Sequence, residues 1–293
     1  MILVTGATGT IGRHLVDQLR GEEVTALVRD PAKGAALDCP SVLADFDDPD
    51  SVAAAMTGVD RLFLNAGGAQ PAAGEQPMVR QQRTAIDAAA AAGVKHIVKV
   101  SVLGARPDGR LAEGAHWLIE DHLRSSGVDW TILRPSGFMQ NFLTGAGVFT
   151  ENGHILGAYR DSRVSYVDCV DIAACAAALL TGVPRPGGTF ALTGPESLTH
   201  QEIAAKLSTT VGREIRYVDL PAAEFARRLG ALGLPAAFAE DVAVLFENVA
   251  SGTLEATTAD VADLTGRPAR AFDDFLRDNA DTVRESWQAQ VLS

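Results

Sequence analysis

The chain opens with MILVTGATGTIGRHLVDQL, residues 1–19, and this stretch decides the fold class. An apolar run at 2–4 leads into a turn containing Gly6, Gly9 and Gly12, and apolar residues then recur four apart at 11, 15 and 19. The pattern predicts a buried strand, a tight turn and a helix with one apolar face. Glycines at this spacing let the backbone approach a ligand closely, and a helix N-terminus favours an anion. We therefore expect a phosphate-binding turn at the head of a β-α-β unit.

Composition sets the broad class of the protein. The chain has 293 residues, of which 47% are hydrophobic and 21% charged, which is typical of a soluble globular protein. Its net charge of -12, with no dense run of lysine or arginine, argues against a nucleic-acid partner. Cys39, Cys169 and Cys175 are too scattered for a disulfide framework or a metal site, so we expect no metal and a reducing cytoplasm.

Targeting signals are not expected either. The first predicted strand begins at residue 2, which leaves no room for a signal peptide, and no apolar run approaches the roughly 20 residues that span a membrane. A small-molecule substrate is therefore expected, without a membrane partner, and the sequence leaves open whether the chain forms a homodimer.

Apolar strand patterns near 24–28, 42–44, 60–64, 97–100 and 128–133 alternate with helical segments along the first half of the chain. This alternation predicts an α/β fold, a Rossmann-type doubly wound parallel sheet, in which ligands bind at the carboxyl ends of the strands. Asn65, Ala66 and Gly67 follow the fourth strand, and their small size leaves space for such a ligand.

Arg29, at the end of the second strand, bears on the choice of dinucleotide. An acidic residue at this point usually binds the adenosine ribose, whereas an arginine can hold a 2′-phosphate. Arg29 therefore favours NADP(H), with Lys33 or Arg13 as helpers. Asp30 either caps the helix opened by Pro31, the interpretation we favour, or turns to the ribose and permits NAD(H).

The segment 120–142 carries a family resemblance. It reads EDHLRSSGVDWTILRPSGFMQNF, which resembles the E-x-x-L-x-x-S-G-x-x-x-T-I-L-R-P-x-x-F-M-x-N signature of the NmrA-like atypical short-chain dehydrogenase/reductase family. The glycine turn and the segments 164–173, 190–194 and 265–268 extend the resemblance over nearly the whole chain. Members of this family include NAD(P)H-dependent quinone and azo-type reductases and also NmrA, which binds the dinucleotide and regulates other proteins.

The resemblance implies a discontinuous arrangement of two regions. The NAD(P)-binding Rossmann domain is expected over 1–155, with a late helix and strand contributed by 164–193. A smaller C-terminal α+β region, 194–293, is expected to close the substrate cleft.

Residue positions also follow from the glycine turn, the strand ends and the resemblance. The resemblance implies that Asp45 and Phe46 lie beside the adenine, although an acidic loop without a binding role is equally open. It also implies that Pro135 and Phe138 lie near the nicotinamide. The full set expected to bind the cofactor is Gly6, Thr8, Gly9, Thr10, Ile11, Gly12, Arg29, Lys33, Asp45, Phe46, Asn65, Ala66, Gly67, Ser101, Pro135 and Phe138.

Catalysis is where the chain departs from its superfamily. Short-chain reductases carry Tyr-x-x-x-Lys on the helix that here contains His116 and Glu120, and none of the chain's tyrosines has lysine four residues on. His116, oriented by Glu120 on the same helix face, is a candidate proton donor. The alternative is a partly exposed His–Glu pair on the helix rim. The resemblance further implies that Ser101 hydrogen-bonds a substrate carbonyl, although a local turn role is equally open.

Apolar residues beyond the sixth strand suggest a substrate pocket. Phe138, Met139, Phe142 and Tyr159 could stack an aromatic substrate, and core packing would explain the same residues. The resulting hypothesis is an NADPH-preferring reductase of a quinone-like or conjugated carbonyl compound. The alternatives are a dinucleotide-sensing regulator of the NmrA type and, more remotely, a sugar-nucleotide epimerase.

Overall fold

A computed structural model describes residues 1–72, 74–143, 148–149 and 153–289. The strands are β1 Ile2–Val4, β2 Val24–Val28, β3 Ser41–Leu43, β4 Arg61–Leu64, β5 His96–Val100, β6 Asp129–Pro135, β7 Val148–Phe149, β8 Ile155–Gly157, β9 Arg163–Val164, β10 Gly188–Leu192, β11 Leu198–Thr199 and β12 Tyr217–Asp219. The helices are α1 Thr10–Gln18, α2 Pro31–Gly34, α3 Pro49–Ala55, α4 Pro77–Ala92, α5 Ala112–Ser125, α6 Cys169–Thr181, α7 His200–Val211, α8 Ala222–Ala231, α9 Ala236–Ala250, α10 Asp260–Thr265, α11 Phe272–Asp278 and α12 Ala280–Ala289.

The first compact unit contains the Rossmann-type sheet. It comprises Met1–Pro135, Cys169–Leu192 and Asp260–Arg267. Seven strands pair in the order β10-β6-β5-β4-β1-β2-β3, and every pair is parallel. The predicted doubly wound fold is therefore confirmed. The chain runs outward from β1 in both directions, so the strand order reverses between β1 and β4, where sheets of this kind bind ligands.

Burial explains why these strands are nearly continuous apolar runs. Every residue of β1 and of β5 is buried, and Leu62, Phe63 and Leu64 of β4 have no exposed surface. A parallel sheet covered by helices on both faces needs apolar side chains on both faces. The two β5 exceptions to this pattern are His96 and Lys99, which are buried although polar.

The second compact unit comprises the described parts of 136–168, 193–259 and 268–289. It holds two small sheets, in which β8 pairs with β7 and β12, and β9 pairs with β11. Helices α7, α11 and α12 bury Phe272, Phe275 and Trp287 in its core. These contacts place 136–168 with the C-terminal residues, whereas the sequence-based division assigned everything up to 155 to the first region. The reason is that β8 and β9 find their strand partners after residue 193.

The start of α2 has the helix cap that the sequence predicts. Asp30 accepts a hydrogen bond from the Ala32 amide at 2.9 Å, and Pro31 is the first helical residue. The helix cap that we favoured for Asp30 is therefore confirmed, and this carboxylate is directed at the backbone of α2.

Among the described helices, none combines the length and apolar character needed to cross a lipid bilayer.

Candidate functional site

The glycine turn between β1 and α1 has a conformation that side chains would obstruct. Gly6 has φ of +63°, in the left-handed region, and its carbonyl accepts from the Gly9 amide at 3.0 Å. A Cβ on Gly12 would lie 2.2 Å from the Gly6 carbonyl oxygen and 2.6 Å from the Ala7 Cα. The third glycine therefore lets α1 begin directly against the turn, with its N-terminal amides next to the strand end.

Thr5 fixes the turn to the neighbouring strand. Its Oγ1 accepts from the Asn65 amide at 2.9 Å and lies 2.8 Å from the Asn65 carbonyl oxygen. The side chain has no exposed surface. It thus ties the carboxyl ends of β1 and β4 together at the point where the strand order reverses. The sequence-based set omitted Thr5.

A cavity of about 290 Å³ lies in front of this turn, at the carboxyl ends of β1, β2, β3 and β4. We call it the strand-end pocket. Nine residues of the predicted cofactor set line it: Gly6, Thr8, Gly9, Arg29, Asp45, Phe46, Asn65, Ala66 and Gly67. Eight further residues outside the predicted cofactor set also line it: Leu27, Val28, Ala44, Gly68, Gln70, Pro77, Met78 and Gln81.

The remaining members of the predicted set lie elsewhere in the first unit or in the second. Thr10, Ile11 and Gly12 form the first turn of α1, behind the lining glycines. Lys33 is exposed on α2 and does not line the pocket. Arg13 donates from Nε to the Thr8 carbonyl at 2.9 Å. Binding roles for these residues, and for Ser101, Pro135 and Phe138, stay predictions.

Two charged residues of opposite sign, Arg29 and Asp45, line the pocket, and a further carboxylate lies just outside it. Arg29 is exposed and lines the pocket. Asp47, outside the lining, is held by Gln81 and by Arg80 at 2.8 Å. Its pKa lies below the usual value, chiefly because of the Gln81 hydrogen bond, with Arg80 and the more distant Arg29 contributing. Asp47 is therefore a carboxylate tied to α4, and Arg29 remains directed at the pocket.

The pocket fits the adenosine and diphosphate parts of a nicotinamide dinucleotide. Gly67 and Gly68 have open space where a side chain would stand, so a ligand can approach the backbone. Half-buried Phe46 offers a ring face next to the apolar Leu27, Val28 and Ala44. The α1 N-terminus supplies amides for a diphosphate, and Arg29 supplies a cation for a further phosphate.

A second group of polar side chains lies between α5 and the carboxyl ends of β5 and β6, with a buried centre and two partly exposed arginines. We call it the α5 cluster, and its members are Lys99, Ser101, His116, Glu120, Arg124 and Arg134. Its centre is Glu120, which has no exposed surface. Glu120 accepts from Ser101 Oγ at 2.5 Å, from Arg124 at 2.7 Å and from Arg134 at 2.6 and 3.0 Å. Burial alone raises the pKa of Glu120, but the Arg134 and Ser101 hydrogen bonds outweigh burial and hold that pKa below its usual value.

Lys99 and His116 form the other half of the cluster. The Lys99 Nζ lies 2.8 Å from His116 Nδ1 and donates to the Val100 carbonyl at 2.9 Å. Lys99 has no exposed surface, and burial lowers its pKa to about 7. Burial, with the Lys99 charge adding to it, also holds the pKa of His116 well below the usual value. At neutral pH His116 is therefore a neutral imidazole, and Lys99 titrates instead.

These contacts correct the predicted catalytic arrangement. We expected Glu120 to orient His116, but its oxygens are occupied by two arginines and Ser101, and no hydrogen bond within the described residues joins Glu120 to His116. The partner of His116 is Lys99, a residue that the sequence reading missed. A lysine inside the apolar run of β5 was the signal that could have revealed it. The Ser101 hydroxyl proton is directed at Glu120, so the substrate hydrogen bond expected of Ser101 stays a prediction.

The four residues expected to line a substrate pocket occupy different surroundings in the second unit. Met139 and Phe142 belong to its core, where the Phe142 ring meets Tyr166 edge-on at 5.0 Å between centroids. Core packing accounts for these two residues, since burial leaves 1% and 8% of their surface exposed, and their pocket role stays a prediction.

Phe138 and Tyr159 are only half-buried. Phe138 forms an isolated parallel bridge with Val167, and the Tyr159 ring stacks on His200 at 3.8 Å and on Phe246 at 4.4 Å. Their substrate roles stay predictions.

Among the described residues, no group of three or more histidine, cysteine, aspartate and glutamate side chains is arranged to hold a metal ion.

Comparison with known proteins agrees with this geometry. The family model described as NAD(P)H-binding matches residues 6–182. An NAD(P)H azoreductase of Xenophilus azovorans is 35% identical over 96% of this chain and 98% of its own. A (4-alkanoyl-5-oxo-2,5-dihydrofuran-3-yl)methyl phosphate reductase of Streptomyces griseus is 34% identical over the same shares.

Among solved structures, the NADPH-dependent quinone oxidoreductase of Escherichia coli in complex with NADPH superimposes with a TM-score of 0.82 at 30% identity. The superposition covers 95% of this chain and 99% of that one. The resemblance drawn from residues 120–142 is confirmed by these matches. The chain therefore belongs to the NAD(P)H-binding family and, within it, to the NmrA-like atypical short-chain dehydrogenases/reductases.

Proposed function

We propose that the protein is an NADPH-preferring reductase that transfers hydride to a quinone-like or otherwise conjugated carbonyl compound. The observation that carries the proposal is the strand-end pocket, in which the glycine turn, the α1 N-terminus and Arg29 meet at one sheet edge. The whole-length relatives named as reductases support turnover.

The residues of the pocket bind and orient the coenzyme. The turn around Gly6 and Gly9 holds the diphosphate through backbone amides, and the α1 dipole favours its charge. Phe46 packs against the adenine, and Arg29 pairs with the 2′-phosphate, which gives the preference for NADPH over NADH. When bound, the nicotinamide supplies the hydride, and the protein contributes binding, orientation and protonation.

The missing Tyr-x-x-x-Lys pair limits the substrates. A simple ketone needs a strong acid at its oxygen as hydride arrives, because its alkoxide product is a poor anion. A quinone gives a resonance-stabilised anion that a weaker acid can protonate. The absence of this pair in the sequence therefore favours conjugated acceptors.

A cofactor sensor of the NmrA type is the second candidate, and the same missing pair favours it. A sensor would bind NADP(H) at the strand-end pocket without oxidising it. Pull-down with and without NADP⁺ tests this alternative, since a sensor binds a protein partner with cofactor-dependent affinity.

The proposal also covers the oligomeric state of the protein and its cellular compartment. We place the protein in a reducing cytoplasm, which three free thiols support, and a homodimer remains the open alternative to a monomer. The net charge of -12 supports a role without nucleic acid.

The proposal is tested by following NADPH absorbance with a panel of quinones, aldehydes and simple ketones, with an acceptor-free sample as control. We expect oxidation with quinones and little with simple ketones. Bound NADPH that is oxidised by no member of the panel would contradict a reductase.

A further inference from the structure

Lys99 is buried without a carboxylate partner. In the part of the chain that the structure describes, its Nζ has two hydrogen-bond partners, the Val100 carbonyl and His116 Nδ1, and both are uncharged at neutral pH. Burying an ammonium without an ionic partner is costly, because the charge loses its hydration. A structural role would be served better by contact with Glu120, yet that carboxylate is bonded to Arg124 and Arg134.

The charges around Lys99 make its proton easy to release. Glu120 from α5 favours the ammonium, whereas Arg134 from β6 and Arg124 from α5 disfavour it, and burial disfavours it most. Because two arginines face the single carboxylate of Glu120, the cluster is already positive without Lys99, and a proton on the buried Lys99 adds a further positive charge. Lys99 can therefore exist in either protonation state near neutral pH.

The contact with His116 fixes the direction in which that proton can move. An ammonium has only donors, so a protonated Lys99 requires the lone pair of Nδ1, and the proton of the neutral imidazole is then on Nε2. His116 is 8% exposed whereas Lys99 is not exposed at all. Since Nδ1 contacts Lys99, the Nε2–H on the other side of the ring is directed away from Lys99.

We propose that Lys99 and His116 form a two-residue proton relay that supplies the proton required when the substrate is reduced. The inference rests on the proposed reductase function and deepens it. His116 is the residue that meets the substrate, and Lys99 acts through His116 as the proton source.

When a quinone is reduced, its electrons and its proton come from different sources. Hydride from the reduced nicotinamide brings two electrons and one hydrogen, and leaves a hydroquinone anion. The Nε2–H bond of His116 breaks as an O–H bond forms on that anion, while Nδ1 takes a proton from Lys99. Lys99 is left as a neutral amine and His116 as the other neutral tautomer. Water then returns a proton to Nε2, and Nδ1 returns its proton to Lys99.

The relay is tested by single-turnover NADPH oxidation with a quinone between about pH 5 and pH 9, where the relay groups titrate. In the wild-type protein we expect the rate to fall as pH rises through about 7, because a neutral Lys99 has no proton to give. Lys99→Met and His116→Gln should lower the rate below that pH at least about tenfold, and Lys99→Met should lose the pH dependence.

His96→Gln is the matched control. His96 is a buried histidine at the opposite end of β5, bonded to Thr131, and burial lowers its pKa as it does for His116. We expect His96→Gln to keep the wild-type pH profile. NADPH affinity, measured by calorimetry, should stay within about twofold in Lys99→Met, since Lys99 does not line the strand-end pocket.

Nitrogen-15 NMR of ring-labelled histidine gives a readout that is independent of activity. We expect His116 to show an unprotonated Nδ1 and a protonated Nε2 below pH 7, and this signal to shift in Lys99→Met. A protonated Nδ1 in the wild-type protein at that pH would overturn the relay, even if the variant fails to fold.

The kinetic outcomes separate the two proposals. If the wild-type protein binds NADPH but none of the acceptors tested leads to its oxidation, the reductase function itself is contradicted. A wild-type protein that is active, with Lys99→Met equal to it in rate and pH profile, defeats the relay and leaves the reductase function standing.

Discussion

The strand-end pocket and the α5 cluster lie along the carboxyl edge of one parallel sheet, yet they are built in opposite ways. The pocket is open and is formed largely by backbone, by glycines and by small residues. The cluster is formed largely by charged side chains around a buried centre, with Lys99 and Glu120 wholly buried. Binding a diphosphate requires space and oriented amides, whereas holding a movable proton requires titratable groups shielded from water. The four predictions below test this difference.

The largest expected effect is on stability, at the centre of the cluster. Glu120→Gln removes the charge that pairs Arg124 with Arg134 and leaves both guanidinium groups without a carboxylate. We expect the free energy of unfolding to fall by about 3 kcal/mol, as measured by urea denaturation.

Glu214→Gln is its matched control, because Arg216 holds Glu214 through two hydrogen bonds at 2.8 and 2.9 Å on the exposed surface. Its loss of stability should be small beside that of Glu120→Gln, because solvent screens an exposed ion pair. If both substitutions lower the free energy of unfolding equally, burial of Glu120 does not strengthen its ion pairs, which contradicts this prediction.

The next effect is on binding, at the backbone of the pocket. Gly12→Val places a Cβ where the Gly6 carbonyl oxygen stands and forces α1 away from the turn. We expect calorimetry to show NADPH affinity reduced about 100-fold, a loss of about 2.7 kcal/mol. Gly230→Val, in the last turn of α8, is the control because a Cβ there meets nothing within 4 Å. Unchanged NADPH affinity in Gly12→Val would break the link between the turn and the coenzyme.

A smaller effect is expected at the charged rim of the pocket. Arg29→Ser removes the cation assigned to the 2′-phosphate, and we expect NADPH to bind about tenfold more weakly while NADH affinity holds. Arg20→Ser, another exposed arginine of the first unit that does not line the pocket, serves as control. Parallel losses for both coenzymes in Arg29→Ser would remove Arg29 from the choice between them.

The smallest effect, counted per pH unit, is expected on the pH dependence of stability. The pKa of Lys99 is about 7 in the folded protein and near its ordinary 10.5 when unfolded, so between these values the unfolded chain binds more protons. Lys99 therefore makes the free energy of unfolding rise with pH over this window, by at most about 1.4 kcal/mol per pH unit. Denaturation of wild type and Lys99→Met should show the rise only in the wild type. Identical slopes would mean that Lys99 is not buried as described.

The pocket could be predicted largely from the sequence because its parts are local. Glycine spacing, a basic residue at position 29 and small residues after β4 each act within a few residues of chain, and nine of the residues chosen this way line the cavity. Gln70 and Gln81 could not be predicted as lining residues, because a loop and a helix bring them to the strand ends only in the folded chain.

The α5 cluster could not be predicted in the same way. His116 and Glu120 were found from their helical spacing, but spacing did not give their partners, since Lys99 and Arg134 come from two neighbouring strands. Arg134 on β6 occupies the Glu120 carboxylate that we expected to orient His116. Its guanidinium donates two parallel N–H groups to the two carboxylate oxygens, and this geometry favours the arginine. Phe142 shows the same limit, since Phe272 and Trp287, both distant along the chain, pack on it as core.

Calorimetric titration of the purified protein with NADPH and with NADH tests the central claim most directly, namely that the strand-end pocket binds a nicotinamide dinucleotide. We expect NADPH to bind with a dissociation constant below about 100 μM, and NADH to bind more weakly because it lacks the 2′-phosphate. Absence of binding by both coenzymes at millimolar concentration would contradict the assignment, for the reductase and for the sensor alike.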